Sequence, residues 1–311
     1  MFKRVGLFIL VNILVMTVSV FVIGLIANFF GVDLSHSTAD GGINYSGLMI
    51  ICLVWGMAGS IVSLFLSKFM AKRMFKLQML DERGANGELV RKVYELAQRA
   101  GLSKMPEVGI YHSPEINAFA TGATRNNSLV AVSSGLLQNM SSDEAEGVLA
   151  HEVAHIANGD MVTLALVQGV VNAFVMFFAR VVAMLVNQAL RKNDGPGLGP
   201  FAYMFLIIFF QILFGILASP IVFAFSRWRE YRADSGGAQL AGKHKMIAAL
   251  EALQRTIDRA EVAPVGATQG GAQPNDASVR TMKISSKSKY SELFSTHPPL
   301  AKRIAALKRM G

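Results

Sequence analysis

The sequence predicts a mainly α-helical membrane protein. It would have four transmembrane helices and a cytoplasmic α+β domain built from segments on both sides of the second helical hairpin. Three observations carry this expectation. Hydrophobic residues make up 52% of the 311-residue chain and charged residues only 16%, too apolar a balance for an ordinary soluble domain. Four apolar runs, at 5–30, 43–67, 161–187 and 200–225, are each near the length that crosses a bilayer. The stretches between and after them are mixed, with helix caps, strand alternation and side chains suited to chemistry.

Met1 to Arg4 is short and basic, and Val5 to Phe30 follows as the first apolar run. A cleaved signal peptide is the alternative, but the run is long and lacks a clear small-x-small site, so a signal anchor is expected. The loop at 31–42 carries Asp33 and Asp40 and no Lys or Arg. After the second run come Lys68, Lys72, Arg73 and Lys76. Positive flanks stay inside. The N-terminus and everything after the second span are therefore expected in the cytoplasm, with the 31–42 loop outside. The net charge of +9 suggests nucleic acid at first sight. The basic residues cluster beside apolar spans, however, so the expected partner is the lipid bilayer and not nucleic acid. The single cysteine, Cys52, lies within an apolar run, which excludes a disulfide framework and a Cys-type zinc site. Residues 1–76 form the first expected division, an N-terminal transmembrane hairpin with its basic flank.

Residues 77–160 read as the first part of the soluble domain. Gly87 to Ala100 has helical periodicity, with Gly101 as its C-terminal cap. Pro106 to His112 reads as a strand. Ile116 to Thr121 and Ser128 to Ser133 read as a hairpin turning at Arg125-Asn126-Asn127. Ser141 to Gly159 then reads as a helix, opened by a Ser141/Glu144 capping box and stopped by Asn158-Gly159. Gly147 is its one weak residue, at a cost of about 1 kcal/mol. Inside it lies His151-Glu152-Val153-Ala154-His155. Histidines four apart share one helix face, so both imidazoles reach one metal ion, and zinc favours such ligands. Glu152 points to the neighbouring face, where it takes a proton from a water held by the same ion.

Residues 161–226 form the second transmembrane hairpin. A buried soluble hairpin is the alternative for 161–187, where Gln168, Asn172 and Arg180 interrupt the run. Pro220 is expected to bend the fourth span. Residues 227–311 complete the cytoplasmic domain. They carry Glu230-Tyr231-Arg232-Ala233-Asp234, an amphipathic helix from Ala238 to Arg259, a mobile linker at about 261–289, and Thr296-His297-Pro298-Pro299 before a short basic helix.

A catalytic zinc needs a third protein ligand. Glu230, Asp160, His112, His244 and His297 are the candidates. His155 precedes the third span and Glu230 follows the fourth, so an antiparallel hairpin returns Glu230 to the same surface. Asp160 is too close in sequence to His155 to close a tetrahedron. Asp234, one turn beyond Glu230, is placed to hydrogen-bond the outward ring N–H of a ligand histidine. Without the histidines, Glu230 and Asp234 would read as an ordinary solvated helix start.

HEVAH, two apolar spans and EYRAD together resemble the HtpX family of bacterial membrane metalloproteases, and are more distantly similar to the CAAX prenyl endopeptidases. The resemblance covers nearly the whole chain, including Asn117-Ala118-Phe119-Ala120 and His297-Pro298-Pro299 with Arg303. It implies a gluzincin (zincin-like) fold and a zinc-dependent endopeptidase with one Zn2+ per chain. Its substrates would be misfolded or damaged membrane proteins or unfolded polypeptides. It also implies His151, His155 and Glu230 as metal ligands, with His297 and Arg303 reaching over the zinc. His297 is then expected to donate to the oxyanion, and Arg303 to orient it or a substrate carbonyl. The alternative for His297 is a solvent-facing residue in the turn that opens a helix. Asn117, Ala118, Phe119 and Ala120 are expected either to bind substrate as an added strand or to form a simple packed edge. Two other functions compete with this one. A zinc-stabilised scaffold or chaperone without turnover would tolerate loss of Glu152, which is present. A CAAX prenyl endopeptidase would need more spans than the four visible here.

Overall fold

The computed structural model describes residue 28 and residues 44–191, 197–262 and 295–310. The first expected span and almost all of the linker at 261–289 lie outside the described residues. The chain divides into two compact units, 1–64 with 164–222 and 65–163 with 223–311.

Helices α1 (Tyr45–Met74), α5 (Asp160–Arg191) and α6 (Pro200–Ala241) are each long and apolar enough to cross a membrane. In α6, Phe201 is 77% exposed, Phe205 67% and Ile221 63%. An apolar surface of this kind belongs against lipid. Within the first unit, small residues bring α1 and α5 backbone to backbone. A Cβ at Gly56 would lie 2.6 Å from Ala173 N and 2.7 Å from Gly169 O. Helix α6 continues through Pro220 and carries Glu230 and Asp234 on the same rod. The helix is unbroken across the step from apolar to charged residues, although the compact units divide nearby, at 222/223. No Gly or Pro interrupts 221–235, and α6 ends only at Gly242, whose φ of 99° a Cβ would strain. The amphipathic helix α7 (Lys243–Val262) starts there rather than at Ala238.

The second unit is built on a four-stranded mixed sheet of order β1-β2-β4-β3: β1 (Gln78–Met79), β2 (Glu107–Tyr111), β3 (Ala118–Thr124) and β4 (Asn127–Ser133). Strands β3 and β4 form the expected hairpin, with a register shift between Gly122 and Thr124. Gly122 is required at that shift. Its φ is 144°, and a Cβ would meet Asn127 O at 2.2 Å. β4 inserts between β3 and β2, pairing parallel with β2, and this leaves β3 at an edge. Helix α2 (Gly87–Arg99) packs with the short α3 (Ser134–Asn139) and the central α4 (Ser142–Asn158) into one core, which includes Val90, Val93, Val130, Val132, Leu149, Val153 and Ile156. Burying each such side chain contributes about 1.5–3 kcal/mol. The terminal α8 (Leu300–Arg309) packs Leu307 against Met246 and Leu250 of α7.

Candidate metal centre

Local sequence fixes α4. Ser141 Oγ accepts from the Glu144 N–H at 3.4 Å, and Glu144 Oε2 accepts from the Ser141 N–H at 2.8 Å, so both halves of the capping box form. Gly159, left-handed at φ 68°, ends the helix. Gly147 is there for packing. A Cβ would meet Lys245 O at 2.4 Å, so its absence lets α7 lie against α4. Gly237 does the same for α6, where a Cβ would lie 3.1 Å from His151 N.

These close approaches bring together three buried side chains: His151, His155 and Glu230. His151 Nε2 and His155 Nε2 are 3.2 Å apart. Glu230 Oε2 lies 3.4 Å from the first and Oε1 lies 3.4 Å from the second. Donors around a tetrahedral ion at about 2.0–2.1 Å are about 3.3 Å apart, so the three fit such an ion. Glu230 Oε2 is buried and makes no well-aligned hydrogen bond among the described residues, although nitrogens of His297, His151 and Arg303 lie within 3.6 Å, so it remains available to a cation. The outward nitrogens are held as well. His151 Nδ1 donates to Asp234 Oδ1 at 3.0 Å, and His155 Nδ1 donates to Asp160 Oδ2 at 2.7 Å. Each contact turns an Nε2 inward, toward the other donors. Burial alone would lower the pKa of His155, but Asp160 and Glu230 outweigh it and raise it to about 9. His151 is raised in the same way, with burial opposed by Asp234 and Glu230. The pocket favours positive charge between these side chains.

The other expected residues converge on the same place. Glu152 Oε2 accepts the Ala120 N–H at 2.8 Å, linking α4 to the edge strand. Ala118, Phe119 and Ala120 lie in β3, and Asn117 just before it pairs through its backbone with Ser133. His297 Nδ1 is 3.0 Å from Glu230 Oε2, with its side chain 59% exposed. Arg303 reaches the same place from α8, with a terminal nitrogen 3.6 Å from Glu230 Oε2. It is buried, and its Nε and a terminal nitrogen donate to the two Asp234 oxygens at 2.7 and 2.6 Å. Its guanidinium also lies 3.4 Å from His151 Nε2. The donor set of three has no place for His112 or His244. Asp160 is also outside that set and instead contacts His155 from behind, which the sequence does not reveal.

The family profile for peptidase family M48 matches residues 84–311. The chain belongs to peptidase family M48. It is 50% identical over 311 residues to the protease HtpX homolog of Bacillus licheniformis, covering 98% of this chain and 99% of that protein. It is 49% identical to protease HtpX of Tolumonas auensis and to that of Aeromonas hydrophila, again over nearly the full length of both chains. The crystal structure of S. mikatae Ste24p matches with a TM-score of 0.59 at 19% identity, which is a likeness of fold. The match covers 93% of this chain, but this chain spans only 61% of that one. The M48 chain is thus a membrane metalloprotease, and the expected resemblance to HtpX holds along its length.

Proposed function

We propose that this M48 peptidase is a zinc enzyme of the bacterial inner membrane. From the cytoplasmic side it cuts misfolded or damaged membrane proteins. The observation that carries the reading is the trio of inward-facing donors from His151, His155 and Glu230, with Glu152 beside it on α4 and bonded to the edge strand. Two imidazoles and one carboxylate make up a donor set that suits catalytic zinc and leaves one position open. His151, His155 and Glu230 would hold the ion, which would supply Lewis acidity toward a peptide carbonyl and a water molecule. Glu152 accepts the proton from that water and later delivers it to the leaving amine. His297, half exposed beside Glu230, donates to the oxyanion. Asp234 fixes His151, and Arg303 holds Asp234. A substrate segment pairs with β3 at the sheet edge, where the Ala120 amide faces away from β4. Three apolar helices and the basic flank Lys68–Lys76 support a membrane setting with the site on the cytoplasmic face.

The test is a proteomic comparison of membranes containing the intact protein or its Glu152→Gln variant. Membrane proteins, above all destabilised ones, should accumulate with the variant. Identical proteomes under folding stress would end the quality-control reading.

A further inference from the structure

We propose that Asp160 and Arg232 form a positioning pair for His155, the counterpart of the Asp234–Arg303 pair behind His151. The inference rests on the reading that His151, His155 and Glu230 hold a metal ion.

Asp160 is 1% exposed and opens α5, directly after the left-handed Gly159. An aspartate there has an ordinary explanation, since negative charge suits the start of a helix. That explanation does not account for where its oxygens point. Oδ2 takes the His155 Nδ1 at 2.7 Å, and Oδ1 takes a terminal Arg232 nitrogen at 2.6 Å. The nearby Thr163 N–H goes to Gly159 O instead. Both carboxylate oxygens are therefore committed to the site and its support.

Arg232 closes the arrangement. The same nitrogen reaches Asn158 O at 3.3 Å, at the last turn of α4, and the guanidinium carbon lies 5.0 Å from the centre of the Trp228 ring. Arg232 stands two residues after Glu230 on α6. One guanidinium thus ties the end of the α4 helix, the start of α5 and the helix that brings Glu230. It balances the buried Asp160 charge, and Asp160 in turn holds the His155 ring with Nε2 inward. The pattern repeats at the other histidine. His151 Nδ1 meets Asp234 at 3.0 Å, and Arg303 takes both Asp234 oxygens at 2.6 and 2.7 Å. Each candidate ligand histidine is backed by a buried carboxylate, and each carboxylate by an arginine from a different element.

The experiment uses the full-length chain in detergent, stripped with a chelator and titrated with zinc in competition with a chromophoric chelator. Cobalt loading reads ligand geometry. Asp160→Ala should weaken zinc about 10- to 100-fold and alter the cobalt visible spectrum. Asp160→Asn keeps an acceptor for Nδ1–H and should lose less. Arg232→Met should weaken zinc in the same direction. If Asp160→Ala does not fold, the Asn and Met variants carry the test. His151→Ala is the control for the underlying reading and should lose zinc. If it binds zinc as the wild type does, the metal site itself is wrong. If His151→Ala loses zinc while the Asp160 and Arg232 variants bind it at wild-type strength, the positioning pair alone is overturned. Variants that melt earlier when metal-free but keep full affinity would reduce Asp160 to a structural residue and also overturn it.

Discussion

Replacing Gly237 by Ala tests how closely α6 must approach α4 for the metal ligands to meet. A Cβ at Gly237 would lie 2.9 Å from Met246 Sδ, 3.1 Å from His151 N and 3.3 Å from His151 Cα. Comfortable contacts between carbon atoms begin near about 3.5 Å. Met246 is 1% exposed and has no solvent to swing into, and the His151 backbone belongs to α4. Helix α6 must therefore withdraw by about 0.3–0.5 Å to restore ordinary separations. Asp234 and Glu230 ride on the same helix, three and seven residues earlier, and move with it. A site of this kind works within about 0.5 Å of its proper geometry. The overpacking costs about 1–3 kcal/mol, partly offset by the roughly 1 kcal/mol that Ala gains over Gly within a helix. The expected result is a small loss in melting temperature and a loss of about tenfold in metal affinity, equivalent to about 1.4 kcal/mol. Chelator competition and thermal unfolding measure the two. Gly215→Ala is the control on the same helix, because nothing lies within 4 Å of its added Cβ. Wild-type metal affinity in Gly237→Ala would refute the claim that helix contact sets the ligand geometry.

Three further outcomes are expected. Arg303→Met leaves the buried Asp234 carboxylate without its two arginine bonds, so it should lose about 3–5 kcal/mol in chemical denaturation along with metal affinity. A variant of full stability and normal affinity, but reduced kcat, would instead place Arg303 on the substrate. His297→Ala should keep its metal and lose about 10²–10³ in kcat, the usual cost of one oxyanion donor. Unchanged kcat would return His297 to a turn, and lost metal would make it a ligand. The last concerns pH. Burial alone would raise the Glu146 carboxyl, but Lys245 and Lys92, each at 2.8 Å, outweigh it and hold it below the ordinary glutamate range. A lowered pKa stabilises the fold above the unfolded value of about 4.3, and this stability is lost as pH falls through the folded value. Glu146→Gln should cost about 1–2 kcal/mol at pH 7 and flatten the acid side of the stability curve. An unchanged acid limb would show that the two lysines do not stabilise the Glu146 charge.

The parts of the fold legible in the sequence were those set by neighbouring residues. Ser141 and Glu144 announce the start of α4, Gly159 its end, and the spacing of His151 and His155 their common face. Glu230 was reachable because the two apolar runs between it and His155 force the chain back to the same surface. The parallel pairing of β2 with β4 was not legible, because it joins residues across an intervening strand and leaves no local mark. Gly147 read only as a weak helix residue, since its reason is the Lys245 carbonyl nearly 100 positions away. The continuity of α6 from membrane span to Asp234 was missed because the change from apolar to charged residues at 226–230 looked like a boundary. Asp160 reads from the sequence only as a poorly placed ligand. The signal is an aspartate just past the helix-ending glycine and close after His155, but its second partner, Arg232, arrives only with α6. Arg303 enters the sequence reading only through the resemblance to HtpX, and its bonds to Asp234 join distant parts of the chain and leave no local mark.

The central claim is that His151, His155 and Glu230 hold one metal ion while Glu152 moves the proton. The most direct measurement takes metal content and casein hydrolysis from the same purified preparations of wild type, Glu152→Gln and Glu230→Ala. The account predicts one zinc per chain in the wild type and in Glu152→Gln, with turnover in Glu152→Gln lower by at least about 10²–10⁴, the range for a lost general base. It predicts neither zinc nor turnover in Glu230→Ala. Normal hydrolysis by Glu152→Gln, or full zinc in Glu230→Ala, would contradict it.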